Sequence, residues 1–521
     1  MQLCRLILSA SFISYIVDYQ LFNPVLITSD TLELIQKNIL YFFPEVLLTL
    51  SILILIIIES IGFYLKNNNK KLFIQIAGIV FLLITLVAIL QQWQLLPTNQ
   101  SVIHLFERSI IIDKLSIYAK IILWVGLVLT WLYSINYANK ENKSEYYIFL
   151  ITMLLGTYLM VSAQGLLMMY LSLEFLSLTS YILTAYQSKN QHSAEAAMKY
   201  FIYGALSSAS MLYGMSLLYG ITGSLDLQQI TIFLSQHHPN HFAILICIVL
   251  MLSGFLYKIS AFPFHFWTPD IYQGALTPIT ALFSVVSKIA GFIFLIRFAS
   301  YAHQFTPHWT EILTVIALLT LTIGNLSALY QTNFKRLLAY SSIAQAGFIL
   351  IGLIANTQFG TTAIIFYLTI YLFMNLLAFY SLDSFAQLTH SENINDWKGL
   401  TKSQPLLSTL AIISLISLIG LPPTAGFIAK LNIFLALWET YQLTHNNLYL
   451  IIFIISIINT LISLFYYLKI PVNILSIQKE PQLSPHSIPL RIKIIFIILS
   501  IPILWLGLFH FDTLFNFIQA K

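Results

Sequence analysis

Four ionisable residues of this 521-residue chain lie inside long apolar stretches. They are Glu174, Lys258, Lys288 and Lys430, in the runs YLSLEFLSL, GFLYKISAF, SVVSKIAGF and GFIAKLNIF. A charge at the centre of a bilayer costs about 2.5–3.5 kcal/mol on insertion scales, so each needs a partner or a function. Apolar surroundings disfavour the charged form of a lysine and let it take up and release a proton near neutral pH. The four residues therefore predict a proton path.

Two simpler interpretations of these residues are structural. A lysine near a helix end can extend its stem to the membrane surface, and a buried glutamate can serve in a fixed ion pair. Lys258 and Lys430 lie well within their apolar windows, which makes extension to the surface the weaker interpretation for them. Arginine would not serve as a carrier because it stays protonated, and we place Arg297 and Arg336 at helix ends. We expect Glu174 to face Lys258 from an adjacent helix.

Prolines interrupt two of the stretches close to a lysine. Pro263 follows Lys258 by five residues, and Pro422 and Pro423 precede Lys430. Proline removes a backbone hydrogen bond, and carbonyls freed at membrane depth are tolerated only where they are buried in protein or line water. The pattern predicts broken helices beside hydrated half-channels. Kinks that serve packing alone are the alternative.

The two interruptions also resemble each other. The run Ser-Gly-Phe-Leu-Tyr-Lys at 253–258 parallels Ala-Gly-Phe-Ile-Ala-Lys at 425–430. By our helix count the two runs lie five helices apart and point in opposite directions across the membrane. An inverted repeat with sites near the midplane has this arrangement. A chance match of a short apolar run is the alternative.

Other ionisable residues near these stretches can be explained by ordinary structural roles. His265 lies just beyond the first break, where histidine suits a proton shuttle between Lys258 and Lys288. A helix-end histidine with a structural hydrogen bond fits equally well. Glu195 and Lys199 have the i, i+4 spacing of a helix-end ion pair. We assign no role to the glutamates of the first apolar window.

The elements that must hold these residues are apolar windows long enough to cross a bilayer. Of all residues 58% are hydrophobic and only 9% are charged, and the mean hydropathy is +0.83. A soluble protein would need far more polar surface, and continuous rather than alternating apolar runs exclude a β-barrel. We predict an all-α polytopic membrane protein with about fourteen transmembrane helices. The windows are 40–64, 73–95, 112–137, 146–164, 166–186, 196–220, 242–262, 276–299, 311–331, 337–355, 361–383, 405–438, 448–469 and 491–516.

Basic residues between the windows predict the orientation of the chain. If the first helix begins outside, fourteen lysines and arginines fall on the inner side and four on the outer side. Both termini should therefore face away from the cytoplasm or matrix, with long inner connections at 384–404 and 470–490. Residues 1–39 are expected to be a surface extension; a removed leader or a fifteenth helix are the alternatives.

Sequence signals for redox and nucleotide groups are missing. There is no G-x-x-x-x-G-K-[ST] loop, and Cys4 and Cys247 are too far apart in sequence for an iron–sulfur motif. His237, His238 and His241 cluster in an outer connection, where a solvated loop is a better interpretation than a metal site. Scattered basic residues argue against nucleic-acid binding. We predict that this chain binds no cofactor and no metal and carries no electrons itself.

Four runs of the sequence resemble one family. They are EAAMKYFIYGALSSA (195–209), PFHFWTPDIYQGALTP (263–278), KRLLAYSSIAQAG (335–347) and GLPPTAGFIAK (420–430). They are similar to the N-subunit family of proton-translocating NADH:quinone oxidoreductase, or complex I, which includes mitochondrial NADH dehydrogenase subunit 2. The resemblance spans roughly residues 40 to 517.

The resemblance implies an architecture of fourteen helices with two inverted five-helix repeats and broken helices. The implied units are an N-terminal extension at 1–39, three helices at 40–137, antiporter-like repeats at 146–299 and 311–469, an inner polar segment at 470–490 and a C-terminal helix at 491–521.

Residue by residue, the resemblance implies roles in proton transfer. Glu174 resembles the glutamate of the family's fifth helix, and Lys258 resembles its partner lysine on the broken seventh helix. Lys288 resembles the central lysine of the eighth helix, and Lys430 the lysine of the broken twelfth. His265 resembles the histidine near the seventh-helix break.

One position departs from the family pattern. Many bacterial relatives have a histidine where this chain has Gln345. Glutamine can hydrogen-bond to water but does not take up a proton at neutral pH. A direct relay through this side chain is therefore not expected, whereas a relay through water is.

The function implied by the resemblance is proton translocation coupled to electron transfer in other subunits. NADH, flavin, iron–sulfur clusters and quinone would be bound by those subunits, and the partners would be membrane lipids and other membrane-arm subunits, including the other antiporter-like ones. We favour the bacterial inner membrane over the mitochondrial inner membrane as the location. An Mrp-type cation/proton antiporter subunit is the main alternative, and a structural spacer that has lost pumping is the other.

Overall fold

The computed structural model describes residues 38–64, 70–96, 102–137, 144–187, 190–237, 239–476 and 488–508. Helices account for most of these residues. Their bounds are α1 (Phe43–Tyr64), α2 (Lys70–Leu95), α3 (Lys114–Tyr137), α4 (Glu145–Ser162), α5 (Leu166–Thr184), α6 (Gln191–Thr222), α7 (Leu227–His237), α8 (His241–Ile259), α9 (Trp267–Gly274), α10 (Thr277–Phe305), α11 (Trp309–Leu329), α12 (Phe334–Ile354), α13 (Gln358–Thr389), α14 (Leu400–Ser403), α15 (Pro405–Ile419), α16 (Ala425–Thr444), α17 (Asn447–Leu475) and α18 (Leu490–Leu508).

The helices confirm the predicted polytopic α-helical fold. Within the described ranges, thirteen helices are long and apolar enough to cross a membrane. Helices α15 and α16, which are separated by a break at residues 420–424, together provide one further pass. The fourteen windows therefore correspond to fourteen passes, two of which are broken: the pass made by α8 and α9, and the pass made by α15 and α16.

Several boundaries differ from the prediction. Helix α9 carries the seventh pass to Gly274, well beyond the window at 242–262. The connections predicted at 384–404 and 470–490 begin later than expected because α13 runs to Thr389 and α17 to Leu475. Most of the N-terminal extension, most of the segment at 470–490 and the end of the last window fall on residues 1–37, 477–487 and 509–521, which lie outside the described residues.

A small antiparallel hairpin precedes α3 and was not expected. Strand β1 (Val102–Leu105) pairs with β2 (Ile110–Asp113). Their β-branched residues favour extended backbone, and the turn between them has positive φ angles at Phe106, Glu107 and Arg108. The segment is too short to appear in a search for membrane-length windows.

The connections gather on two opposite faces of the bundle. On the hairpin face, named for β1 and β2, the carbonyl of Ser109 accepts from the amide of Gln164 at 2.9 Å, and Leu166 donates to the carbonyl of Leu225 at 2.9 Å. On the other face a cavity of about 700 Å³ is lined by residues from 187, 190–199, 270–277, 335–336 and 383–392. We call this cavity the vestibule and its side the vestibule face.

The centre of the bundle is formed by α10, α12 and α13. In α10 every residue of the most apolar window is buried, and in α12 and α13 94% of that window is buried. Helices α1, α2 and α17 instead turn many leucine and isoleucine side chains outward. Such surfaces suit lipid or partner helices. Of the four predicted ionisable residues, Lys288 lies on one of these central helices, while Glu174, Lys258 and Lys430 lie on α5, α8 and α16.

Candidate functional site

The two broken passes have the same backbone design. In the first, Ser260 adopts a left-handed conformation (φ 60°), Ala261 donates to the carbonyl of Leu256 at 2.8 Å, and a proline follows at 263. In the second, Gly420 is left-handed (φ 83°), and its neighbour donates to a carbonyl five residues back at 3.2 Å, with a proline at 423. This is the helix ending in which the residue after a left-handed cap bonds back to the last turn.

This design corrects the hexapeptide match proposed from the sequence. When Ser260 is set against Gly420, Lys258 lies before its break, whereas Lys430 lies after its own. The position that corresponds to Lys430 in the first break is occupied by Asp270, and the position of Lys258 is occupied in the second by Leu418. The two similar runs lie on opposite sides of the breaks, so their likeness reflects shared apolar composition rather than equivalent places.

Lys258 is the next-to-last residue of α8 and is only 1% exposed. Its ammonium lies 3.4 Å from the hydroxyl of Ser177 on α5. Ser177 follows Glu174 by one helical turn, and the two residues share a face of α5. Lys258 therefore reaches toward the helix that carries the glutamate, and burial excludes extension of its stem to the surface.

Glu174 is half-buried and forms no contact ion pair with Lys258. Its carboxylate lies close enough for its charge to act on the lysine. The predicted facing pair is therefore not in direct contact, and the described partner of the Lys258 ammonium is the hydroxyl of Ser177, one turn along α5 from Glu174. A hydroxyl can both accept and donate a hydrogen bond, so Ser177 can take part in proton transfer at Lys258.

Lys288 sits in the middle of α10, directly after a π-helical turn at Phe283–Ser287. Its ammonium donates to the carbonyl of Ser342 at 2.8 Å and to the hydroxyl of the same serine at 2.9 Å. It is 2% exposed. π-Helical turns inside α-helices occur frequently at functional sites. The sequence prediction of a central intramembrane lysine agrees with this position, although its partner on α12 was not foreseen.

Lys430 points back across the second break. Its ammonium donates to the carbonyls of Leu418 at 3.2 Å and Ile419 at 2.7 Å, the last residues of α15. The ring of Phe348 lies 4.4 Å from the ammonium. A cation is stabilised both by carbonyls at a helix C-terminus and by an aromatic face. Lys430 is thus held without a contact carboxylate among the residues that the structure describes.

Gln345 lies on α12, the helix that binds Lys288 through Ser342, and shares a backbone partner with Lys430. Its amide nitrogen donates to the carbonyl of Leu418 at 2.9 Å, which is the carbonyl that Lys430 also binds, and to the hydroxyl of Tyr467 at 3.0 Å. Tyr367 donates a short hydrogen bond to the amide oxygen, and Tyr467 makes another with Ser341. The sequence singled out Gln345 but gave no signal for the two tyrosines, which are indistinguishable from other aromatic core residues by pattern.

His265 is not brought into contact with either lysine that it was expected to connect. Its ring is 4% exposed and packs on Phe266, with ring centroids 4.2 Å apart. Its Nδ1 atom has no hydrogen-bond partner within the described part of the chain. The described contacts therefore supply neither a direct shuttle nor the structural hydrogen bond of the alternative.

Another buried lysine escaped the sequence analysis. Lys120 on α3 is fully buried and its ammonium lies 2.5 Å from the carboxylate of Glu45 on α1, which is also fully buried. Gln92 on α2 lies 3.4 Å from the same ammonium. The short run KLSIYAK, with a second lysine at its start, made this residue look like part of a helix end. The pair joins three consecutive helices.

Arg297 is also placed differently from the prediction. It lies two turns before the end of α10, is 8% exposed and forms a two-pronged ion pair with Asp113 at 2.7 and 3.1 Å. Burial raises the pKa of Asp113, but the Arg297 guanidinium and the hydrogen bonds from Ser116 together lower that pKa below its ordinary value. This arginine anchors the hairpin face and is not a helix-end cation.

The expected pair of Glu195 and Lys199 is confirmed at 2.8 Å. Lys199 also contacts Asp270 at 2.9 Å, and Arg336 contacts the other oxygen of Asp270 at 2.8 Å. These groups line the vestibule. Charged walls make the vestibule an aqueous approach to α9 from one side of the membrane.

Chemically, this arrangement suits proton transfer. Three enclosed lysines, at most 3% exposed, each contact a hydroxyl or carbonyl oxygen. Amines in such surroundings can exist charged or neutral at small cost, and hydroxyls can both accept and donate. Two broken helices with enclosed lysines are the features of an antiporter-like membrane subunit.

Comparison with known proteins gives the same class. The NADH:quinone oxidoreductase/Mrp antiporter transmembrane family matches residues 163–462, more than half of the chain. Subunit N of the NADH-quinone oxidoreductase of Chlorobium chlorochromatii is 38% identical over 452 residues, covering 84% of this chain and 85% of that protein. The chain therefore belongs to the NADH:quinone oxidoreductase/Mrp antiporter family.

Two solved structures share the fold. A chain of respiratory complex I from Thermus thermophilus matches with a TM-score of 0.74 and 28% identity, covering 90% of this chain and 98% of that chain. A chain of the Mrp complex from Dietzia matches with a TM-score of 0.81 and 19% identity, covering 92% and 97%. At that identity the second likeness concerns the fold alone.

Proposed function

We propose that this chain is a proton-translocating membrane-arm subunit of an NADH:quinone oxidoreductase. The observation that carries the proposal is the row of enclosed lysines, Lys258, Lys288 and Lys430, held by oxygen atoms next to two broken helices. The likeness to the Chlorobium subunit over most of both chains supports the choice of complex.

The proposed roles follow the geometry. Lys258 and Glu174, with Ser177 between them, form the first proton site, and Lys288 forms the central one. Lys430 forms the site of the second break. His265 is proposed as an accessory group at the first break, reached through water. The repeats are proposed to span 146–299 and 311–469, each containing one broken pass.

Electron transfer is assigned to other subunits. NADH, flavin, iron–sulfur clusters and quinone would be bound there, and this chain would contribute proton movement driven by their chemistry. Its partners would be the other membrane-arm subunits, including the antiporter-like ones, and membrane lipids. The enzyme is thus the complex, and this chain is one of its subunits.

The vestibule face is proposed to be the inner face. Basic residues of the connections on this side outnumber those of the hairpin face, as positive residues do on inner faces. Both termini would then lie outside, in a bacterial inner membrane. Cysteine labelling at 390–404 should succeed only from the inner side; labelling from the outer side would overturn the orientation. Replacing Cys4 and Cys247 first provides a clean background.

The experiment that tests the function is purification of the tagged chain from its native membrane. A complex that oxidises NADH, reduces quinone and acidifies the lumen of inverted vesicles is expected. An Mrp-type antiporter subunit would instead purify without NADH oxidation and would exchange sodium for protons. A structural spacer would purify with the oxidoreductase, but Lys288→Met would leave proton pumping unchanged.

A further inference from the structure

The described contacts leave a gap between the central lysine and the lysine of the second break. Lys288 is bound to Ser342 on α12, and Lys430 is bound to the end of α15. Between them lies a fully buried polar cluster made by Gln345, Tyr367 and Tyr467. The proposed function requires protons to move between Lys288 and Lys430, and a group between these two lysines must carry them.

The hydrogen bonds of Gln345 fix its orientation. Its amide oxygen accepts from Tyr367, and its nitrogen donates to the carbonyl of Leu418 and to the oxygen of Tyr467. A flipped amide would point its oxygen at the Leu418 carbonyl, which is repulsive because both groups only accept. The amide therefore holds one orientation and always presents an N–H to Tyr467.

The orientation of Gln345 leaves the proton of Tyr467 available for the next hydrogen bond. Because the Tyr467 oxygen accepts from the amide, its own proton can be donated to the hydroxyl of Ser341, with which it makes a hydrogen bond that either oxygen can donate. Ser341 precedes Ser342, the residue that binds Lys288. The same amide shares the Leu418 carbonyl with Lys430. Tyr467 is thus linked by single contacts to the surroundings of both lysines.

We propose that the hydroxyl of Tyr467 conducts protons between Lys430 and Lys288, and that Gln345 and Tyr367 are positioning residues that orient it. The proposal rests on the proposed function. Gln345 cannot itself be the carrier because an amide does not take up a proton at neutral pH. A tyrosine hydroxyl can accept one proton while giving up another, so it remains neutral throughout.

The transfer balances as follows. The ammonium of Lys430 gives a proton to a water molecule, which passes a proton to the Tyr467 oxygen as the original phenol proton moves to Ser341. The Ser341 hydroxyl proton moves through a second water molecule to the neutral amine of Lys288. One N–H bond is broken at Lys430 and one is formed at Lys288, and each hydroxyl ends with one proton.

The test uses Tyr467→Phe in the complete complex, with Tyr380→Phe as the matched control. Both tyrosines are fully buried, but the Tyr380 hydroxyl donates to Thr130 on α3 at 2.8 Å and makes no described contact with Lys288, Lys430 or Tyr467. We expect Tyr467→Phe to lower NADH-driven proton pumping by about a hundredfold, in the range of a lost proton-transfer group. Tyr380→Phe should pump normally. Equal loss in both variants would overturn the proposal.

A second substitution that restores pumping distinguishes a proton-conducting role of Tyr467 from a structural one. Gln345→His added to Tyr467→Phe places a titratable ring where the amide was, so pumping should return and decline above about pH 6.5, where an ordinary imidazole becomes neutral. A purely structural role of Tyr467 predicts no rescue. Assembly of each variant is measured by native gel.

Lys288→Met and Lys430→Met in the same membranes distinguish a failure of the Tyr467 proposal from a failure of the proposed function. If both lysine variants stop pumping while Tyr467→Phe pumps normally, only the role of Tyr467 is overturned. If the lysine variants also pump normally, the proposed function itself fails.

Discussion

The two broken passes share a backbone but differ in how each holds its lysine. In the first, the carbonyl of Tyr257 at the end of α8 accepts from the indole of Trp267 at 3.2 Å, and Lys258 is left to reach toward α5. In the second, the carbonyls at the end of α15 are bound by Lys430 itself. The carbonyl at the first break thus accepts a hydrogen bond from a neutral indole, and the carbonyls at the second accept from an ammonium group.

This difference shows that each break leaves carbonyls that require hydrogen-bond donors. Whether the donor is a neutral side chain or the lysine itself determines what else the lysine can contact. Because Trp267 donates to the first break, Lys258 is available to contact Ser177 on α5, the helix that carries Glu174. Because Lys430 donates to the carbonyls of the second break, the groups that stabilise its charge among the described residues are those carbonyls and the ring of Phe348. The first site is expected to respond to a neighbouring carboxylate, and the second to local packing.

A buried lysine away from both breaks provides the largest expected effect on stability. Lys120→Met leaves the carboxylate of Glu45 buried and unpaired, which should destabilise the fold by about 3–5 kcal/mol. The double variant with Glu45→Gln should recover most of this loss. Thermal unfolding of the purified complex measures both. Complexes that do assemble should pump normally; loss of pumping at full assembly would mean that burial alone, without a break, makes a lysine essential.

The next effect concerns the glycine of the second break. A Cβ at Gly420 would lie 2.8 Å from the Cδ of Lys430, in addition to the strain of φ 83°. Gly223 is the matched control, because its φ is 68° but a Cβ there meets nothing within 4 Å. Both Gly→Ala changes should cost about 1–2 kcal/mol of stability from left-handed strain.

Only Gly420→Ala should also displace the lysine stem and reduce pumping by more than about tenfold, since small misplacements of reacting groups cost up to about a hundredfold. Proton pumping per assembled complex distinguishes the two variants. Equal pumping would show that the position of the Lys430 stem is unimportant.

These contrasts mark what could and could not be predicted from sequence. The transmembrane windows, the helix breaks and the isolated lysines could be predicted, because a bilayer requires long apolar helices and penalises unpaired charges. Lys120 was missed because it lies in a run with other polar residues near a helix start. Ser342 and Tyr467 could not have been singled out, since their role depends on which helices meet at Lys288 and Gln345. Helix neighbours are set by packing of the whole bundle.

A smaller effect is expected from the aromatic ring at the second break. Phe348→Leu removes the face beside the Lys430 ammonium and should cost its charged form about 0.5–2 kcal/mol. Phe255→Leu is the control, since Phe255 packs against Phe294 and Phe298 on α10. Pumping as a function of pH should change its profile for Phe348→Leu only. An identical profile in both variants would contradict the contribution of the ring.

The smallest effect is expected at the first break. Ser177→Ala removes the hydroxyl next to Lys258, a 3.4 Å contact worth no more than about 1 kcal/mol, so pumping should fall a few fold. Ser180→Ala on the same helix is the control, because its hydroxyl donates to backbone carbonyls of α5 and makes no described contact with Lys258. A decrease in both variants would argue that Ser177 merely stabilises the helix. Vesicle acidification rates provide the comparison.

The most direct test of the central claim, that the lysines beside the breaks carry protons, is pumping by complexes that contain Lys430→Met. Methionine keeps most of the buried stem but cannot hold a proton. We expect assembled complexes to lose proton pumping, and NADH oxidation to fall with it where the two are tightly coupled. Lys430→Arg should fail as well, since guanidinium does not release its proton at neutral pH. Normal pumping with normal NADH oxidation in assembled Lys430→Met complexes would show that this lysine is only a structural charge.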